Sequence, residues 1–150
     1  MQESAHVLVV ANRTADSDEL LAALDERAQR GPARFTLLVP ATPHGVAWAA
    51  DMNSGSTEAT AHMQHALQRF RDAGLEVVDG VVGDPDPVGA VQDLLNAGGR
   101  FDEVVVSTLH RHLSRWLKLD LPSRVERSTG LPVTHVEAHD GRPSEPSPGE

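Results

Sequence analysis

The chain has 150 residues, a formal net charge of −9 and no cysteine. That length suits one domain with its own buried core, and the missing cysteines exclude disulfides, thiolate metal sites and cysteine nucleophiles. The acidic balance argues against general nucleic-acid binding, and no apolar run approaches the roughly 18 residues of a membrane span.

HVLVVA (6–11) is the first of five apolar runs that read as strands. After it, Asp16 with Glu19 three residues on predicts a helix cap, followed by Leu20, Leu21, Leu24 and Ala28 on one face. RFTLLV (34–39) is the second strand, and residues 41–57, ATPHGVAWAADMNSGST, form a long connection rich in small residues. A helix from about Glu58 to Ala73 follows, with Met63, Ala66, Leu67 and Phe70 inward and Gly74 as its stop. LEVVDGVV (75–82) is the third strand. Asp86 as N-cap, Pro87 at the first helical position, then Val88, Val91 and Leu95 predict a third helix ending at Gly98-Gly99. DEVVVS (102–107) is the fourth strand, and Leu113, Trp116 and Leu117 supply an amphipathic turn after it. A fourth helix is predicted from Asp120-Leu121-Pro122, with Asp120 as its cap, to Gly130. PVTHVEA (132–138) is the last strand, and HDGRPSEPSPGE (139–150) reads as a disordered tail.

Strands alternating with helices imply right-handed crossovers and an α/β fold, an open five-stranded parallel sheet with helices on both faces. One domain over residues 1–138 accounts for all of these elements. The first, second and fourth runs are almost continuously apolar, as strands covered on both faces are, while the mixed fifth run suits a sheet edge. Ligands of such sheets bind beyond the carboxyl ends of the strands, where strand order reverses. The loops after the first, second and fourth strands are therefore the candidate site. The chain's cationic island falls on one of them: Arg111, Arg115, Lys118, Arg124 and Arg127 against Asp120 and Glu126, a local +3.

The opening HVLVVANRTADSDELLAAL, the turn VVGDPDPVGAVQDLL, the strand FDEVVVST and the final LPVTHV resemble, in their order and spacing, the universal stress protein family. The resemblance spans residues 5–137 and implies the Rossmann-like sheet of that family, related to the adenine nucleotide alpha hydrolases. It also implies a homodimer paired through the last strand, Leu131 to Ala138. Many members bind ATP through a glycine, two residues, a glycine, nine residues, a glycine, then serine or threonine. That frame falls here on Ser107, His110, Asp120 and Leu121, with the spacing kept and every identity changed. The aspartate that follows the first strand in nucleotide-binding members is matched by Asn12.

Those replacements weigh against ATP. A glycine leaves no Cβ between backbone and phosphate, whereas His110 places an imidazole there. Asp120 adds a like charge, worth about 1 kcal/mol of repulsion at ~4 Å in water and several times that at partly buried sites. No cofactor is expected, and ATP or AMP binding is disfavoured. The reading is a non-enzymatic, cytoplasmic, dimeric module of stress-response or regulatory type, working by interaction with a protein partner or by sensing a ligand other than ATP. The alternative is a nucleotide or small-anion binder with a rebuilt site. There Asn12, Arg13, Ser107, Thr108, His110, Ser114, Arg115 and Asp120 supply polar groups, and Val39, Pro40 and Leu121 apolar surface. Arg115 and its neighbours offer bidentate phosphate geometry, although a solvated charged face is the simpler explanation. Gly-x-Ser-x-Gly and the Gly-Lys-Ser/Thr phosphate loop are absent, so catalysis has no visible nucleophile or phosphate cradle. His62 and His65 share a helical face, but a His-x-x-His pair without a carboxylate or thiolate partner falls short of a zinc site, and no metal is expected.

Overall fold

Leu8 and Val10 point to one side of the first strand, Val7 and Val9 to the other, and all four are fully buried. That double burial fixes the architecture, because each face must be covered by helices. The computed structural model describes residues 4–12, 14–40, 54–84, 86–109, 116 and 120–138, with the side chains of 54–59 excluded. The strands are β1 (Ala5–Val10), β2 (Ala33–Pro40), β3 (Glu76–Gly83), β4 (Glu103–Leu109) and β5 (Val133–Ala138). The helices are α1 (Asp18–Arg30), α2 (Ser54–Asp72), α3 (Pro87–Asn96) and α4 (Leu121–Thr129). The five strands lie in the order β3-β2-β1-β4-β5, and every pairing is parallel. The sheet predicted from the sequence is the sheet observed, with the mixed fifth strand at an edge.

Two apolar layers sandwich it. On one side Val7, Val9, Phe35, Leu37, Val39 and Val105 meet Leu20 and Leu24 of α1 and Met63, Ala66, Leu67 and Phe70 of α2. On the other, Leu8, Val10, Leu38, Val104 and Val106 meet Ala90 and Val91 of α3 and Leu121 and Val125 of α4. Each of the buried Val, Leu, Phe and Met side chains contributes about 1.5–3 kcal/mol of transfer free energy, the alanines less. Two glycines let helices approach β3. A Cβ on Gly80 would lie 2.6 Å from Leu67 Cδ1, and one on Gly83 2.8 Å from the Ala90 Cβ. At the amino end of the sheet, Arg27 of α1 clamps Glu103 of β4 through two bonds of 2.9 and 3.1 Å.

The helix caps depart from expectation. Ser17, not Asp16, caps α1: its Oγ accepts from the Leu20 N–H at 3.1 Å. Ser17 is buried and its short hydroxyl reaches the turn, so Asp16 is left for other contacts. Asp86 stands at the cap of α3 with no side-chain cap bond, and its own N–H is held by Asp84 Oδ1 at 2.9 Å. Asp120 stands at the cap of α4 in the left-handed region, φ 56° and ψ 45°, again with no side-chain cap bond. It holds the expected cap position, but its side chain makes no capping bond. Helix α2 begins at Ser54, within what the sequence suggested was a loop reaching residue 57. The rest of that connection and the 139–150 tail lie outside the described residues.

Candidate functional site

Strand order reverses between β1 and β4, so the crevice of interest opens beyond Val10 and Leu109. The chain leaves β1 through Ala11 and Asn12 and turns tightly, with the Ala15 N–H bonded to Asn12 O at 3.1 Å and the Ser17 N–H to Thr14 O at 3.0 Å. This turn delivers Thr14 to the floor of the crevice. Its Oγ1 lies 2.6 Å from Ser107 Oγ on β4, one hydroxyl donating to the other. Both residues are about 1% exposed, so the pair is sealed from solvent. Asn12 Nδ2 donates to Pro40 O at 3.0 Å, tying the end of β1 to the end of β2. Thr108 donates its hydroxyl hydrogen to Leu109 O at 3.0 Å. Its oxygen then accepts from His135 Nε2 at 2.7 Å, which places the imidazole hydrogen on Nε2.

The sequence-predicted site residues are thus distributed unevenly. Asn12, Pro40 and Ser107 do come together at the strand ends, each engaged within the protein. Val39 is fully covered in the layer shared with α1 and α2. Leu121, 2% exposed, is built into the opposite layer beside Val10 and Val106, with Trp116 half-buried against the same cluster. Asp120 is exposed on the surface before α4. Its left-handed backbone is the only positive φ among the described residues that are not glycine. The position where the family signature has its third glycine therefore keeps a glycine-like conformation, which aspartate tolerates better than most residues. Arg13, His110, Ser114 and Arg115 lie outside the described residues.

Sequence reasoning missed Thr14, which carries no motif and reaches the site only through the turn after β1. It also missed the partner of the His-x-x-His pair. Asp16, released from capping, faces His62 and His65 of α2. Among the described residues no group of three His, Cys, Asp or Glu side chains stands ready to hold a metal ion. No described helix is long and apolar enough to cross a membrane.

No family model matches the chain, and no curated protein matches it by sequence. Solved structures do match over nearly its whole length. A universal stress protein from Archaeoglobus fulgidus superposes with a TM-score of 0.58 at 15% identity, covering 88% of this chain and 93% of its own. A universal stress protein in complex with cAMP gives a TM-score of 0.56 at 25% identity, covering 90% and 99%. A universal stress protein family protein from Arabidopsis thaliana with AMP bound gives 0.61 at 15% identity, covering 95% and 97%. The chain has the universal stress protein fold. Identity to these neighbours is 15–25%, and of the changed signature positions Ser107 lies near the end of β4 and Leu121 opens α4.

Proposed function

We propose that the chain is a non-enzymatic universal stress protein-like module, of stress-response or regulatory type, in which the usual ATP loop is lost and the crevice floor is satisfied by the protein's own side chains. The observation that supports this is the sealed Thr14–Ser107 hydroxyl pair at 2.6 Å, seated at the first signature position. Hydroxyls already bonded to each other and removed from water offer nothing to a phosphate without first breaking that bond. The Asn12–Pro40 link at 3.0 Å adds a second internal engagement at the same end of the sheet. Work on partners then falls to the surface, with homodimerisation through β5, the last strand in the sheet order.

The rival reading, a nucleotide or small-anion binder, draws support from the AMP and cAMP complexes of neighbouring folds. Thermal denaturation with millimolar ATP, AMP or cAMP separates the two, because a ligand of the folded state raises the melting temperature. No shift is expected. A shift of several degrees that disappears in Asn12→Ala overturns the proposal in favour of the rival. The dimer is checked by light scattering, where a 16.1 kDa particle at micromolar concentration refutes it.

A further inference from the structure

Strand β3 stands at the opposite end of the sheet order from β5, bonded to β2. Between Val77 and Val82 its run VVDGVV holds four valines and a single charge, Asp79. Without that charge the run has the composition of a segment that adds strands readily, β-branched, uncharged and free of proline. A terminal strand of this kind is a template for another chain unless something blunts it. Two adjacent features do so. Phe35 pairs with Val77 and Thr36 with Asp79, so Val78 is an extra residue with no counterpart on β2. Such a bulge bends the strand and breaks the even spacing that an incoming strand would have to match. It also leaves Val78 52% exposed, the only large apolar side chain so exposed among the described residues. Next to it, the exposed Asp79 folds its Oδ1 back to accept from the Gly80 N–H at 2.8 Å. A main-chain donor held by a side chain is not offered to a second strand. Gly80 itself is pressed against α2, where a Cβ would lie 2.6 Å from Leu67 Cδ1 and 2.9 Å from Met63 Sδ.

We propose that Val78, Asp79 and Gly80 form a stop that closes β3 to a second copy of this chain, with the Asp79 carboxylate as the group that keeps it shut. Two copies meeting through β3 about a two-fold axis would pair the strands antiparallel, each presenting the same segment to the other. Pairing centred on the bulge would bring the two Asp79 carboxylates together, and like charges set opposite one another are destabilising. Each carboxylate would also have to release the Gly80 N–H that it holds. Removing the carboxylate lifts both obstacles and leaves Val78 as an apolar contact for the incoming strand. The inference concerns β3 alone and stands whether or not β5 pairs.

Light scattering of the full chain, from micromolar concentration upward at neutral pH, compares the parent with Asp79→Ala, Val78→Lys/Asp79→Ala and, as a control for charge, Asp93→Ala. Asp93 is an exposed residue of α3, and its loss changes the net charge equally. Asp79→Ala is expected to reach at least about twice the parent's mass, rising with concentration. Its urea midpoint should be no lower than the parent's, which shows that the folded chain is the species that associates. The other two variants should keep the parent's mass, since a lysine at the bulge restores a charge to the strand. The parent's own mass reports on β5 and the ratio of variant to parent on β3, so the two readings fail separately. An Asp79→Ala chain that keeps the parent's mass overturns the proposal, as does equal association of Asp93→Ala or of the double variant. Should Asp79→Ala fail to fold, Asp79→Thr, which suits a strand, takes its place and is expected to associate in the same way.

Discussion

Ser107→Ala removes one half of a hydroxyl pair and leaves Thr14 Oγ1, in a residue 1% exposed, with nothing to bond. The cost of such an orphaned group is about 1–3 kcal/mol, more than the net worth of the bond itself. Thr14→Val is the mirror perturbation, conserving volume while orphaning Ser107 Oγ, and it should cost a similar amount. Removing both hydroxyls leaves no unsatisfied group, so the double variant should lose clearly less than the sum of the singles. The expected coupling is roughly 0.5–3 kcal/mol, the range for residues in direct contact. In a chain of this length each kcal/mol moves the melting temperature by about 2–4 °C, so the singles should be readily resolved by heat. Urea denaturation is the better assay: the midpoints should fall at unchanged slope, which reports stability rather than an altered denatured state. Additive losses, or neutral single variants, would refute the claim that these hydroxyls depend on each other. They would reopen the crevice floor as a surface able to receive a ligand.

Gly83→Ala should destabilise by about 1–3 kcal/mol and by more than Gly80→Ala. The new Cβ meets the rigid Ala90 Cβ at 2.8 Å in the first case, but only the movable ends of Leu67 and Met63 in the second; equal denaturation midpoints would contradict this. Asp120→Gly should be neutral or raise stability by up to about 1 kcal/mol, because it relieves a left-handed residue, while Asp120→Val at the same φ of 56° should lower it; thermal melts of the two variants settle the sign. Burial, then the nearby Arg34 charge, hold the His6 imidazole below its ordinary 6.5, outweighing the opposing pull of the Arg100 backbone and Asp102. The unfolded chain therefore binds a proton there that the folded one resists. This group should weaken stability as pH falls below 6.5, with no penalty well above it, and His6→Gln should flatten that part of the pH profile relative to the parent.

The sheet was legible in the sequence because burial on both faces writes itself as unbroken apolar runs, as in Val7 to Val10 and Val104 to Val106. The amphipathic helices were legible for the same reason: Met63, Ala66, Leu67 and Phe70 recur at helical spacing and are buried together. Caps were less legible, since Asp16 and Ser17 are both good capping residues and only the path of the turn chooses between them. Choosing Asp16 hid its second use. Read as a cap, it could not also be the carboxylate beside His62 and His65, 46 and 49 positions further along. Thr14 was invisible on different grounds, because its contact with Ser107 spans 93 positions of sequence and depends on the parallel pairing of β1 with β4.

The retained signature spacing finds its explanation in the same packing. Ser107 is fixed by burial at the end of β4, and Leu121 is fixed by burial beside Val10 and Val106 at the start of α4. Both ends of the intervening stretch are thus set by packing, and a residue with positive φ immediately before Leu121 turns the chain into the helix. That requirement concerns path length and backbone hand, and it holds whether or not a phosphate is bound. Asp120 meets it at φ 56° with a side chain no phosphate would welcome. Spacing is therefore preserved by the fold, whereas the identities at Ser107, Asp120 and Leu121 answer only to chemistry and local packing. A signature whose spacing survives without its glycines is evidence for the architecture, and the ligand has to be argued from what the replaced side chains now touch.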